Sequence, residues 1–360
     1  MDKGTASDLT FVVGTGRCGS TMLSRILHEH PDVLSLSEFF ATLMRVMRRR
    51  EFPVHDLDGQ ELWRFLSGPD AIYDAMVSDG LRFPELCYPY GRGRFGPATG
   101  VPMICDMTLP MLTADPDALY DKLAAEVPAW PRRPAASQYR ALFALLAGLL
   151  GRRVVVERSG ASLALIHVLR EQFPGARFVH LFRDGPDCAL SMSRHPGFRL
   201  AGLTAAAARA AGLPSPASWD DVQAALPGQF KGLLTMPFDA QRFMAYPIPP
   251  AFFGQLWSRT VCEGVTALAE LPPDARMSVR YEGLLGDPER ELTRLALFLG
   301  IPATPHWLAA ASQRIDRRMT GTAAAQLDHG TLASLRAACE PGTRALAAAP
   351  AERPVPAGSP

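Results

Sequence analysis

The chain has 360 residues, 48% of them hydrophobic and 20% charged, enough for one large α/β domain or two smaller ones with a sizeable core. Its 37 Lys and Arg against 36 Asp and Glu leave no global basic field, which argues against a general nucleic-acid binder and makes any anion site local. The six cysteines, Cys18, Cys87, Cys105, Cys188, Cys262 and Cys339, include no C-x-x-C pair, so zinc binding and a dense disulfide framework are disfavoured and free thiols are expected.

No signal peptide is visible in the polar start MDKGTASD, and the longest uncharged apolar run, Ala141–Leu150, is too short for a bilayer. No stable membrane insertion and a cytoplasmic location are therefore expected.

The first element is an apolar run, Leu9 with Phe11, Val12 and Val13, which reads as a strand buried on both faces. Gly14, Gly16 and Gly19 then punctuate a loop that a backbone-bound anion could approach. Met22, Leu23, Ile26 and Leu27 recur at helical spacing until Pro31 ends the run. Strand, glycine loop and helix together place N–H groups and a helix N-terminus at one point, where phosphate binds. The loop nearly spells the P-loop G-x-x-x-x-G-K-[ST], with Gly14, Gly19 and Thr21 in register. Ser20 stands at the lysine position, however, and the loop's one cation is Arg17.

A second strand, Val33–Leu36, precedes Glu38. Arg45, Arg48, Arg49 and Arg50 follow, a cluster better read as a solvated helix face than as a phosphate contact. Residues 52–130 mix helical patches with turns rich in Gly, Pro and aromatics, such as Tyr88–Pro97, a surface loop where acceptor contacts could lie. An apolar helix over Gln138–Leu150 is closed by Gly151. A strand at Arg153–Glu157 ends in Arg158-Ser159-Gly160. A helix follows with Leu163, Ile166, Leu169 and Phe173 on one face, and then a strand at Arg177–Phe182. Strand, helix, strand with short links predicts a parallel pair with a right-handed crossover, its ligands beyond the carboxyl ends. The segment 195–255, with Phe230, Met236, Phe238, Phe243, Met244 and Tyr246, reads either as an apolar lid or as a helical hairpin packed on the core. A late strand at Met277–Glu282 leads to a helix with Pro288 near its start and Leu292, Leu295, Ala296 and Leu299 on one face. The tail from about Ala347 is low-complexity and expected to be disordered.

Two blocks carry a family resemblance. G-T-G-R-C-G-S-T-M-L resembles the 5′-phosphosulfate loop of sulfotransferases that use 3′-phosphoadenosine 5′-phosphosulfate (PAPS), in the bacterial and Golgi-type branch with Arg in that loop. R-D-G-P-D-C-A-L-S, Arg183 to Ser191, resembles their 3′-phosphate motif R-D-x-x-D-x-x-x-S. The run V-E-R-S-G…F-P-G-A-R-F-V-H-L-F and the later R-Y-E-G-L-L-G-D-P extend the likeness over roughly residues 9–300. The resemblance implies a P-loop-like three-layer α/β/α fold with a central parallel sheet, plus helical insertions forming an acceptor lid. It implies a single domain over 1–345, with a core at 9–300, a lid-like insertion at about 195–255, and a tail at 346–360.

By the same resemblance the activity is sulfuryl transfer from PAPS, without a metal, to a hydroxyl or amine of a small-molecule, lipid or sugar acceptor; a homodimer is left open. Gly16, Arg17, Cys18, Gly19, Ser20 and Thr21 would hold the phosphosulfate, and Arg183 and Ser191 the 3′-phosphate. Arg318, in the basic stretch of Arg314, Arg317 and Arg318, would close over the adenosine phosphates. Transfer at sulfur needs a cation on the leaving phosphate, which Arg17 supplies as a clamp, and a base for the acceptor proton. Cytosolic members use a histidine after the strand that here ends at Arg158-Ser159-Gly160, where none stands. Glu38 in S-E-F-F resembles the glutamate base of trehalose-type bacterial members, while an ion pair with a nearby arginine or a capping role is its structural alternative. His180 reads as a core residue, and His28, His30 and His195 stay unassigned. Two other classes compete: a P-loop kinase-like phosphotransferase, and a non-catalytic protein that binds adenosine bisphosphate.

Overall fold

The computed structural model describes residues 9–47, 52–214, 217–316 and 320–349. Among these, five strands form one parallel sheet: β1 (Leu9–Val13), β2 (Val33–Ser37), β3 (Val154–Arg158), β4 (Arg177–Phe182) and β5 (Arg276–Arg280). Alternation along each strand sends side chains to opposite faces. Leu9, Phe11 and Val13 of β1 join Leu34, Leu36 and Val155 in one core layer, with Phe39, Phe40, Tyr139, Phe143 and Phe173. Val12 joins Val33, Val154, Val156, Val179 and Leu181 in the other, with Leu23, Trp257, Leu292 and Trp307. Both layers are buried and apolar, which is why the central strands read as unbroken apolar runs. The result is a sheet covered by helices on both faces, a three-layer α/β architecture.

The strand order is β2-β3-β1-β4-β5. β3 and β4 are parallel, as their short linking helix Ile166–Gln172 predicts, but they are not a hydrogen-bonded pair. β1 lies between them, with Val12 opposite Arg158 on one side and Val13 opposite His180 on the other. The reason is that β1 has two apolar faces and two free edges, so it takes the centre, and the crossover from β3 passes over it. From β1 the chain leaves towards β2, and from β4 it leaves towards β5. The crevice between the carboxyl ends of β1 and β4 is therefore the switch point at which open sheets of this kind bind ligands.

Two helices follow the first strands, α1 (Ser20–His28) and α2 (Phe39–Met47). Arg45 in α2 departs from the solvated face expected of its cluster. It is nearly buried, bonded to Asp70 at 3.4 Å and Asp106 at 3.0 Å, with its guanidinium 3.7 Å from the Tyr73 ring centre. Two carboxylates and a ring compensate its desolvation, which a pattern of arginines alone does not reveal. Arg48, Arg49 and Arg50 lie outside the described residues.

The segment 195–255 builds its own apolar cluster. Helices Pro196–Ala210, Trp219–Ala224 and Ala240–Ala245 enclose Leu203, Val222, Phe230 and Phe243 together with Met76 and Phe83. Met236, by contrast, is 62% exposed. Towards the C-terminus, helix His329–Ala348 packs along helix Pro250–Ala269, where the Ser258 hydroxyl donates to the Ala338 carbonyl at 2.8 Å and accepts from Gly342 N at 3.1 Å. The six cysteines are unpaired. No described helix is long and apolar enough to cross a membrane. His180 is buried in β4, and burial holds its imidazole down at about 4, so it is a neutral core residue near pH 7.

Candidate active site

The loop after β1 is shaped by three left-handed residues, Gly16, Arg17 and Gly19, with φ of 75°, 57° and 92°. At Gly19 a Cβ would stand 2.2 Å from the Tyr281 ring, so both the conformation and the close approach demand glycine. Arg17 adopts the same region with a side chain, at a cost of about 1–3 kcal/mol that only a well-determined surrounding can sustain. Its reward is direction: the guanidinium enters the crevice at the switch point. Cys18 points the other way, 1% exposed in the core, where burial raises its thiol above the usual range. Cys18 can therefore serve an anion only through its backbone. Ser20 and Thr21 open α1, which no side chain caps, leaving N–H groups at its N-terminus for an acceptor.

The second block arrives from β4. Asp184 caps helix Gly185–Ser193 by accepting from Asp187 N at 3.1 Å, and this cap fixes Arg183 at one end of the turn and Ser191 two turns on. The two blocks meet. Arg17 Nε donates to Ser191 Oγ at 3.1 Å, and Arg183 Nη1 donates to the Arg17 carbonyl at 3.4 Å. Arg183 lies over Tyr281, 4.9 Å from its ring centre, and pairs with Asp187 at 3.5 Å. Asp187 in turn accepts from Ala323 N at 2.8 Å, tying the chain after Gly321 to the site. Arg183 thus makes a structural ion pair as well as converging on the loop.

A cleft of about 300 Å³ opens here, lined by Arg17, Arg82, Arg183, Ser191, Arg194 and His195. Four arginines around one small cleft in a chain of balanced charge concentrate positive charge locally, as an anion site in such a chain would need. Thr322 and Gln326 close its far side; Arg318, the remaining expected contact, falls outside the described residues. A wider depression of about 710 Å³ on the insertion, with Lys231, Met236, Phe238 and Arg242 on its walls, contains no residue of either block.

Glu38 sits at the carboxyl ends of β2 and β3, with φ of 59° and 4% exposure. Its carboxylate is doubly held: Arg158 pairs with Oε1, and Gly160 N donates to Oε2 at 2.7 Å. Arg158 also bonds the Ser37 hydroxyl. The turn that grips Glu38 abuts the anion loop, since a Cβ at Gly16 would lie 3.4 Å from Ala161 N. Beside it, Glu157 is fully buried, accepting from the Ser159 hydroxyl at 2.6 Å and Phe40 N at 3.4 Å.

Burial first, and the Glu38 charge with it, push the Glu157 carboxyl up from 4.5 to about 8. A raised carboxyl favours folding below its unfolded value and loses that contribution as pH climbs from 4.5 to about 8, up to about 5 kcal/mol in all. Glu157→Gln should therefore leave the melting temperature little changed at pH 5 and raise it increasingly towards pH 8. Parallel melting curves for parent and variant across that range would show this assignment wrong.

Of the histidines without an assigned role, His30 is structural, its Nε2 3.0 Å from the Pro302 carbonyl and its ring edge-on to Trp307. His28 ends α1, half-buried, with burial lowering its imidazole. His195 is in the cleft, bonded to Glu85 at 2.9 Å. Glu85 also pairs with Arg17 at 2.9 Å. Burial works against its ionisation, but the His195 hydrogen bond and the Arg17 charge outweigh it and hold the carboxyl at about 2. Sequence reasoning passed over Glu85, which lies in a loop with no motif around it.

A sulfotransferase family model matches residues 10–75, the span from β1 through the anion loop and Glu38. No curated protein matches the chain. Among solved structures, the sulfotransferase domain from the Synechococcus PCC 7002 olefin synthase is similar at 16% identity and TM-score 0.49, covering 94% of this chain and 96% of that one. The sulfotransferase domain from the curacin biosynthetic pathway is similar at 17% identity and TM-score 0.43, covering 89% and 82%. Sulfotransferase STF9 from Mycobacterium avium is similar at 13% identity and TM-score 0.42, covering 93% and 76%. All three likenesses are distant.

Proposed function

We propose that this chain is a sulfotransferase, a reading that the family match over residues 10–75 supports, and that it moves a sulfuryl group from PAPS to a hydroxyl or amine of a small-molecule, lipid or sugar acceptor by in-line displacement. The observation that carries the reading is the meeting of Arg17 with Ser191 and Arg183 across more than 160 residues of chain, beside an uncapped helix N-terminus. A doubly phosphorylated donor needs two anion grips at a fixed separation, and these residues supply them.

PAPS contributes, when bound, a sulfuryl group on a phosphate leaving group. The protein's part is positioning and charge. Arg17 and the N–H groups of Gly19, Ser20 and Thr21 hold the leaving phosphate and stabilise the charge that develops on it. Gly16 and the Cys18 backbone complete that loop. Arg183 and Ser191 hold the 3′-phosphate, with Arg318 as a further contact. Glu38 takes the acceptor proton, oriented by Arg158 and Gly160 N. The wider proposal is a single metal-free, cytoplasmic domain in which segment 195–255 covers the acceptor. Its own apolar cluster supports a packed cover rather than a loose flap.

The test is ligand linkage. Adenosine 3′,5′-bisphosphate should raise the melting temperature strongly, and ATP with magnesium much less. Arg183→Ala should weaken the bisphosphate by about 1.5–3 kcal/mol, roughly tenfold to a hundredfold, and Ser191→Ala by less. Stronger stabilisation by magnesium ATP would favour a kinase-like phosphotransferase instead. Tight bisphosphate binding without turnover on any acceptor would leave a non-catalytic binder.

A further inference from the structure

Arg17 is engaged by protein groups on two sides, Ser191 on one and Glu85 on the other. Its Nη1 is bonded to Glu85 Oε1 at 2.9 Å, while Glu85 Oε2 meets His195 Nε2 at 2.9 Å. His195 Nδ1 accepts from Gly197 N at 3.2 Å, so Nδ1 carries no proton, and Nε2–H is the donor to Glu85. Phe83 and Phe198 flank the imidazole edge-on, with ring centres 6.1 and 5.6 Å away. His195 is thus a fixed post, and Glu85 bridges it to the one arginine of the anion loop.

We propose that Glu85 is a positioning residue and an internal anion: it occupies the Arg17 clamp until the donor's 5′-phosphosulfate displaces it, after which His195 alone retains it. The inference rests on the reading of Arg17 as the phosphosulfate clamp. Charge supports it, because a guanidinium only 24% exposed needs a counter-charge whether or not a donor is present. Mechanics support it too. The loop bearing Glu85 is pinned by the buried Phe83 ring and by Cys87 N bonded to the Asp106 carbonyl at 2.9 Å, so a side-chain rotation of Glu85 suffices. The exchange replaces one carboxylate by one phosphosulfate on Arg17. Until then Glu85 holds the arginine in the direction in which its Nε meets Ser191.

Titration calorimetry of the full chain with adenosine 3′,5′-bisphosphate tests this, since an internal competitor and a merely structural ion pair predict opposite signs. Glu85→Gln should bind the bisphosphate about fivefold to twentyfold more tightly, because the neutral amide competes poorly for Arg17. His195→Leu, its new side chain fitting between Phe83 and Phe198, should bind several-fold more weakly, because the displaced carboxylate loses its post. The double variant should match Glu85→Gln, since His195 acts only through Glu85. In turnover, Glu85→Gln should lower the KM for PAPS without raising kcat. Equal or weaker binding by Glu85→Gln would overturn the inference. Should that variant not fold, unweakened binding by His195→Leu would do so. A double variant weaker than Glu85→Gln would remove His195 from the device. A parent chain that does not bind the bisphosphate at all would instead overturn the donor reading on which the inference stands.

Discussion

Glu38→Gln should lower turnover by about 10²–10⁴ while leaving bisphosphate affinity nearly intact, because the base proposed above would touch the acceptor's proton and not the donor's phosphates. The backbone strain at this residue supports a functional role: a glutamate at φ 59° costs about 1–3 kcal/mol and persists here because Glu38 N bonds the Arg158 carbonyl at 2.7 Å and its own carbonyl accepts from Thr42 N at 2.9 Å. Both carboxylate oxygens are held, yet each retains a lone pair, so the grip is compatible with the proposed role as base. The competing account makes Glu38 only the counter-charge of Arg158. Removing one partner of a buried pair typically costs about 3–5 kcal/mol, so on that account the variant loses melting temperature while the folded fraction turns over normally. Rates across acceptors separate the two, because a lost base hurts acidic alcohols least. Near-normal turnover would move the base elsewhere, and His28, His30 and His195 would be the next residues to test.

Arg17→Ala should reduce kcat by about 10²–10³, the usual loss when one preorganised donor to a developing charge is removed, and should loosen the donor as well. On the proposed mechanism the charge it answers grows as the bond to the leaving phosphate breaks, so the effect should exceed simple ground-state binding. Arg17→Lys should recover part of the rate, since a point cation still answers the charge but cannot bond Ser191 and its anionic partner at once in the fork geometry. Arg17→Ala also leaves Glu85 unpaired on that side, so its carboxyl should rise from about 2. A variant with weaker donor binding and unchanged kcat would reduce Arg17 to a tether.

Sequence alone determined the elements whose cause is local. The two-faced apolar strands, the glycine loop and the Pro288 start of helix Pro288–Leu299 each follow from residues within one turn or one strand of each other. The two motif blocks were legible for the same reason, since Arg17 and Ser20 sit on one loop and Arg183 and Ser191 on one helix start. Only the tertiary structure decided which strand lies between β3 and β4, because edge pairing compares strands more than a hundred residues apart and periodicity carries no partner label. It likewise turned Arg45 inward onto Asp70 and Asp106, placed Glu38 on Arg158, and brought Glu85 across 68 residues to Arg17. A charged side chain looks solvated in sequence. Burial becomes affordable only when folding delivers a counter-charge at hydrogen-bond distance, and that delivery is a property of the assembled layers, not of any segment.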